Sequence, residues 1–208
     1  MTQSATIFIV DDDEAVRESL ALLLEASGYR VAAYASGAAF LAALKRGAEG
    51  CLLVDVRMPG IGGLEVQEEL ARRDSAVPAI VMTGHGDVPL AVRAMRAGAA
   101  DFIEKPFSDE TILASIERAL RQGEAQRQDR ARNAEVLAHA ERLTEREREV
   151  LDELVAGHPN KVIAHHLSIS PRTVEIHRAR VMEKMQARSL SELVRMALSA
   201  GLGAHAGK

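Results

Sequence analysis

In the first 105 residues, apolar runs end on side chains able to do chemistry. Ile7-Phe8-Ile9-Val10 ends on Asp11 and Asp12, Cys51-Leu52-Leu53-Val54 on Asp55, and Ala79-Ile80-Val81-Met82 on Thr83; Phe102-Ile103 stops just short of Lys105. Three carboxylates, a hydroxyl and an ammonium at one end of a parallel sheet would form an acidic crevice, and open α/β sheets bind ligands outside the carboxyl ends of their strands. Clustered carboxylates repel one another, and a hard cation such as Mg2+, with oxygen ligands and retained waters, relieves that repulsion. Asp55 could then attack a phosphoryl group to give an acyl phosphate, a reaction in which positioning and charge neutralisation do most of the work. Lys105 would neutralise phosphoryl oxygens, and Thr83 would donate one hydrogen bond.

These side chains need a scaffold that alternates strands with helices. The pattern predicts strands over 6–10, 30–34, 51–55, 78–82 and 101–104, with helices near 14–27, 37–46, 63–72, 88–97 and 108–121. Such alternation gives a right-handed βα fold around a parallel sheet. Gly28 and Gly98 stand where helices should end, Pro59-Gly60 breaks the loop after Asp55, and Ser108 is a candidate N-cap. Asp13 reads as a charge favoured at a helix N-terminus. Arg57 and His85 should flank the entrance to the crevice.

From Arg121 to Arg142 apolar residues become scarce and Arg, Gln, Glu and Ala dominate, so 122–141 reads as a polar, partly helical linker. Beyond it a helical pattern predicts helices at 144–156, 160–167, 171–185 and 189–199. Thr144 with Glu147 makes a capping box, Asn160 should cap the second helix, and Ser170-Pro171 is an N-cap followed by proline at the first helical position.

Composition agrees with two units that have different partners. Residues 1–120 carry 11 Lys+Arg and 18 Asp+Glu, a net of −7, whereas residues 158–208 carry 8 and 3, a net of +5. The basic end could meet phosphates, and the acidic front could mask it. A run of 18 apolar residues is lacking and no basic leader precedes the first strand, so neither a membrane span nor a signal peptide is expected. A single cysteine, Cys51, in an apolar strand reads as a buried structural thiol and fits a reducing cytoplasm.

Val10-Asp11-Asp12, Asp55 with Met58-Pro59-Gly60, Thr83-Gly84 and Lys105-Pro106 together resemble the receiver domain of two-component response regulators, over about residues 5–121. The resemblance implies a CheY-like, flavodoxin-like five-stranded sheet of order 2-1-3-4-5. It implies Asp55 as phosphoacceptor, and Asp11, Asp12 and Asp55 with the Arg57 backbone carbonyl as the Mg2+ ligands. Thr83 becomes the switch hydroxyl, Phe102 the switch aromatic and Lys105 the phosphate-binding lysine, with a cis bond at Lys105-Pro106. Phosphate would draw Thr83 inward and let Phe102 rotate into the vacated space, which changes the surface over 88–104. Val92, Arg96 and Ile103 on that face are candidates for a homodimer contact made on phosphorylation.

Leu143-Thr144-Glu145-Arg146-Glu147, Asn160-Lys161-Val162-Ile163-Ala164 and Ile169-Ser170-Pro171-Arg172-Thr173-Val174-Glu175 resemble the four-helix LuxR-type helix-turn-helix domain, placed here at 142–208. In the 171–185 helix Val174, Val181 and Met185 share one face with His177 beside them, and that face must pack. Arg172, Glu175, Ile176, Ala179 and Arg180 are left to the DNA. Glu175, Ile176 and Ala179 occupy base-contacting positions by resemblance; Thr173 belongs to the same surface. Lys161, Arg172, Arg178, Arg180 and Lys184 are candidate phosphate contacts. His165 and His166, adjacent on a helix, diverge by roughly 100° and make a poor metal pair, so no Cys/His cluster suggests zinc.

Together the halves resemble the NarL/FixJ class of response regulators, whose FixJ branch answers an oxygen-sensing kinase and switches on nitrogen-fixation or microaerobic genes. The implied partners are a sensor histidine kinase, double-stranded promoter DNA and RNA polymerase, and the implied role is transcriptional rather than enzymatic. A protein- or RNA-interaction module without specific DNA binding is the alternative.

Overall fold

The apolar runs of the front half become five parallel strands, β1 (Thr6–Val10), β2 (Arg30–Tyr34), β3 (Gly50–Asp55), β4 (Ala79–Thr83) and β5 (Asp101–Glu104). Helices α1 (Glu14–Ala26), α2 (Gly37–Ala43), α3 (Gly63–Arg72) and α4 (Val88–Arg96) connect them, and α5 (Asp109–Ala140) follows. The computed structural model describes residues 5–84 and 88–203 and divides into two compact units, Met1–Arg127 and Gln128–Lys208.

The sheet order is β2-β1-β3-β4-β5, as the resemblance implied. Alternate strand residues serve opposite faces. Phe8, Val10, Leu52, Val54 and Val81 pack with Phe40, Leu64, Leu70 and Ala94 from α2, α3 and α4. Ile7, Ile9, Leu53, Ile80 and Met82 pack with Leu20 and Leu24 of α1 and Ile112 and Ile116 of α5. All six residues of β3 are buried, because helices cover both faces of a central strand. Cys51 is among them, and burial pushes its thiol well above the usual range, which suits a structural role.

The segment read as a linker differs from expectation. The helix over 108–121 does not stop but continues to Ala140, a single helix of 32 residues. Arg, Gln, Glu and Ala are strong helix formers, and Gly123 is the only glycine or proline in the helix. A Cβ at Gly123 would come within 2.9 Å of Pro78 Cδ, so glycine there permits close approach to the loop before β4. Val136 and Ala140, inside the expected linker, are buried in the core of the second unit with Leu143.

That unit comprises the end of α5 with α6 (Glu145–Val155), α7 (Asn160–His166), α8 (Pro171–Lys184) and α9 (Leu190–Ser199). The Thr144–Glu147 capping box forms, with the Thr144 N–H donating to Glu147 Oε2 at 2.9 Å. Ser170 accepts from the Thr173 N–H at 3.1 Å, and Pro171 opens α8. Asn160 is not a cap. It is the first residue of α7 behind an N-cap at Pro159, and its Oδ1 faces Arg178 Nη1 at 3.4 Å.

Candidate functional site

The site lies at the carboxyl ends of β1 and β3, adjacent strands from which the chain leaves on opposite faces of the sheet. Asp55, the last residue of β3, is buried, and its two carboxylate oxygens have different partners. Oδ1 meets Lys105 Nζ at 2.7 Å, and Oδ2 accepts from the Arg57 N–H at 2.7 Å. Asp11 Oδ2 meets the same ammonium at 2.6 Å, while its Oδ1 accepts from the Asp13 N–H at 3.0 Å. One cation therefore bridges two buried acids. Burial alone would favour the neutral amine, but the two carboxylates prevail and hold Lys105 above the usual lysine range.

Local backbone interactions place each group. The Asp11 N–H donates to Tyr34 O across the β1–β2 edge at 3.3 Å, and the Lys105 N–H donates to Thr83 O at 2.7 Å. Thr83 ends β4 and is buried, and the peptide bond from Lys105 to Pro106 is cis. Asp12 is exposed beside Asp11. Asp13 caps α1, accepting from the Ala15 N–H at 2.9 Å, in keeping with its reading as a helix-terminal charge. After Asp55 the chain turns into α3 so tightly that a Cβ on Gly63 would lie 2.5 Å from the Asp55 carbonyl oxygen.

The donor set suits a hard cation. Asp11, Asp12 and Asp55 offer carboxylate oxygens, Arg57 offers a backbone carbonyl, and an ammonium already lies where positive charge is demanded. Arg17 is a residue sequence reasoning missed. Its Nη1 donates to the carbonyls of Asp11 at 2.8 Å and Asp12 at 2.9 Å, fixing the acidic loop from α1. Its position six residues after Asp11 and off the apolar stripe was the available signal. His85, read as flanking the entrance, lies outside the described residues.

Phe102 is half-buried and packs against the core on the α2–α4 side. Val92 and Arg96 are exposed on α4, together with Val88 and Met95. Ile103 corrects the expectation for this face. It is 6% exposed and belongs to the core on the α1–α5 side, because its side chain alternates with that of Phe102 along β5.

In the second unit Val174, Val181 and Met185 are fully buried, so α8 packs through the expected face. His177 is half-buried, with Nδ1 enclosed and lacking a partner. Arg172, Glu175, Ile176 and Ala179 line one shallow hollow on the opposite side. Arg180 and Lys161 are exposed, while Thr173 and Arg178 are partly covered. Lys184 departs from its expected role. Its Nζ is 2.5 Å from Glu147 Oε2 and donates to Arg142 O at 3.1 Å, so it closes the α6–α8 packing instead of presenting charge outward. Burial raises the Glu147 carboxyl, yet Lys184 and the Thr144 cap outweigh it and hold the group below the usual range. Glu153, His158 and His166 converge, a grouping that the comparison of His165 with His166 did not anticipate.

Residues 7–117 match the family described as "Response regulator receiver domain", and residues 141–197 match "Bacterial regulatory proteins, luxR family". The chain is 56% identical over 203 residues to the transcriptional regulatory protein FixJ of Azorhizobium caulinodans, covering 97% of this chain and 96% of that protein. Among solved structures, full-length FixJ from B. japonicum shares 49% identity with a TM-score of 0.58, covering 95% of this chain and 97% of that one. The response regulator StyR shares 39% identity with a TM-score of 0.74, covering 94% and 98%. Among the described residues no helix is long and apolar enough to cross a membrane. The chain thus belongs to the two-component response regulators that join a receiver to a luxR-type DNA-binding domain, a family of transcription regulators similar to FixJ and not of enzymes.

Proposed function

We propose that Asp55 accepts a phosphoryl group from a sensor histidine kinase and that the modified chain dimerises and binds promoter DNA through α8. The observation that carries this reading is the pair of contacts on Asp55. Arg57 N–H and Lys105 Nζ each hold one carboxylate oxygen at 2.7 Å, which orients the group at the end of the central strand. A carboxylate held this way is a prepositioned nucleophile. Asp11, Asp12 and Asp55 with the Arg57 carbonyl are the residues that would hold Mg2+, whose charge when bound neutralises clustered acids and phosphoryl oxygens. Lys105 would pass from Asp55 to an oxygen of the incoming group. Thr83, buried at the end of β4 and joined to Lys105 through its backbone, would report the change towards Phe102.

Val92 and Arg96 remain the candidates for the dimer contact, on an α4 face whose exposed apolar residues Val88, Val92 and Met95 would be covered by pairing. RNA polymerase is the proposed downstream partner. Nitrogen-fixation or microaerobic genes are the proposed targets, on the strength of the likeness to FixJ.

The test is selection of bound genomic fragments by the full chain, with and without a small-molecule phosphodonor and Mg2+, with Asp55→Asn as control. A two-fold-related site enriched only with phosphorylated wild type is the expected result. No enrichment in any state would favour the interaction-module reading. Sedimentation of Val92→Asp separately tests the dimer face, since phosphorylated variant that still dimerises would remove Val92 from it.

A further inference from the structure

The end of α6 carries one histidine back over its own last turn. Gly157, at φ +83°, donates its N–H to Leu154 O at 3.1 Å, and the His158 N–H donates to Glu153 O at 3.1 Å. This two-bond closure requires a left-handed residue, which glycine supplies. A second histidine, His166, arrives as the last residue of α7. Both rings present Nδ1 to the same carboxylate oxygen, Glu153 Oε2, His158 at 2.7 Å and His166 at 2.9 Å. The three candidate ligand atoms all lie within 4.8 Å of one another, and the imidazole planes stand at 86°.

The geometry points to a divalent transition-metal site at Glu153, His158 and His166, of the donor class that zinc takes. Two imidazole nitrogens and one carboxylate oxygen match the borderline character of such ions, whereas Mg2+ prefers oxygen alone. Around a tetrahedral ion with bonds of about 2.1 Å, ligand atoms stand about 3.4 Å apart. Each histidine would therefore withdraw from its 2.7 or 2.9 Å hydrogen bond by roughly 0.5–0.7 Å. Both have room to do so, with side chains 39% and 44% exposed. Three protein ligands leave a fourth position for water. Bound metal would tie the end of α6 to α7 and brace the helix that precedes α8. The inference is independent of phosphotransfer at Asp55, since all three ligands belong to the second unit.

The test uses untagged, full-length protein stripped of metal, titrated with Co2+ while excess Mg2+ competes at the acidic crevice. The expected result is a visible Co2+ absorption that saturates at one ion per chain and is displaced by one equivalent of Zn2+. His158→Gln and His166→Gln should each weaken binding tenfold or more. His165→Gln, whose ring centroid is 6.2 Å from that of His166 but lies outside the ligand set, should bind as wild type does. Far-UV circular dichroism checks each fold. If a variant unfolds, Zn2+-induced shifts of the His158 and His166 ring resonances in wild type decide instead. Absence of saturable binding in wild type, or unchanged affinity in both folded variants, would overturn the proposal and leave a hydrogen-bonded triad.

Discussion

At Lys105 burial and charge pull in opposite directions, and the two acids win. The folded-state pKa lies above the unfolded value of about 10.4, so its stabilisation is complete below that pH and is lost as pH rises through the folded value. The urea midpoint of the receiver should therefore fall above about pH 10.4. Tyr29 and Cys51 are also raised, both first by burial, and act in the same direction. The difference between wild type and Lys105→Met therefore isolates the lysine, and parallel alkaline curves would show that its ion pairs add nothing to stability. Gly63 affords a second test at this scale. A Cβ there would lie 2.5 Å from the Asp55 carbonyl oxygen, so Gly63→Ala must displace either the Asp55 backbone or the start of α3. Small misplacements near a reacting group cost on the order of tenfold to a hundredfold in rate. The phosphorylation rate with a small-molecule donor should fall by that factor while the chain stays folded by circular dichroism.

Among the elements, α6 and α8 are joined by a pair that a reading of α8 as a DNA-facing helix misassigns. Glu147 is 2% exposed and holds Lys184 at 2.5 Å, so Glu147→Gln leaves an ammonium half-enclosed without its counter-charge. The expected loss is about 1–3 kcal/mol in the second unit, read from urea unfolding. Because the Glu147 pKa is lowered, its contribution is present above the unfolded value of about 4.3 and disappears as pH falls through the folded one. Wild type and variant should therefore converge in acid. On the exposed side, Arg172→Ala should lower the salt slope of DNA binding by about 1 at every sequence. Glu175→Gln should change preference at one base pair by about 1–3 kcal/mol. Equal effects of both variants on all sequences would show that Glu175 reads no base. The central elements were legible because β1, β3 and β4 are built on apolar runs, and Gly28 and Gly98 mark the ends of α1 and α4. Less legible was whatever depended on a partner distant in the chain. Lys184 looks like any surface lysine until α6 is packed beside it, and Ile103 like any edge residue until α5 covers it. His158 lies five residues beyond Glu153, a spacing that means nothing until Gly157 folds the chain back.

For the whole molecule, the length of α5 changes what counts as a unit. Composition divided the chain at 122–141 because that stretch is polar, and polarity alone cannot show that two apolar residues within it are claimed by a core further on. Val136 is 6% exposed and Ala140 1%, and the Ala140 carbonyl accepts from Arg148 Nη2 at 2.9 Å. A fragment starting at 142 forfeits all three contributions, while one starting at 128 keeps them. Burying a valine is worth about 1.5–3 kcal/mol. The 128–208 fragment should therefore be more stable than 142–208 by about 2–4 kcal/mol, once the alanine and the hydrogen bond are added. Equal urea midpoints would mean that the end of α5 packs without stabilising. The longer fragment is also the proper probe of charge. It lacks the −6 of residues 1–127 and carries 13 Lys+Arg against 11 Asp+Glu, a net of +2, with the positive charge concentrated in residues 158–208. With repulsion between an acidic receiver and DNA phosphates removed, its affinity for nonspecific duplex should exceed that of the unphosphorylated whole chain. The gap should narrow as salt is raised, since screening acts on long-range charge first. A gap that persists unchanged at high salt would show that long-range charge is not its cause.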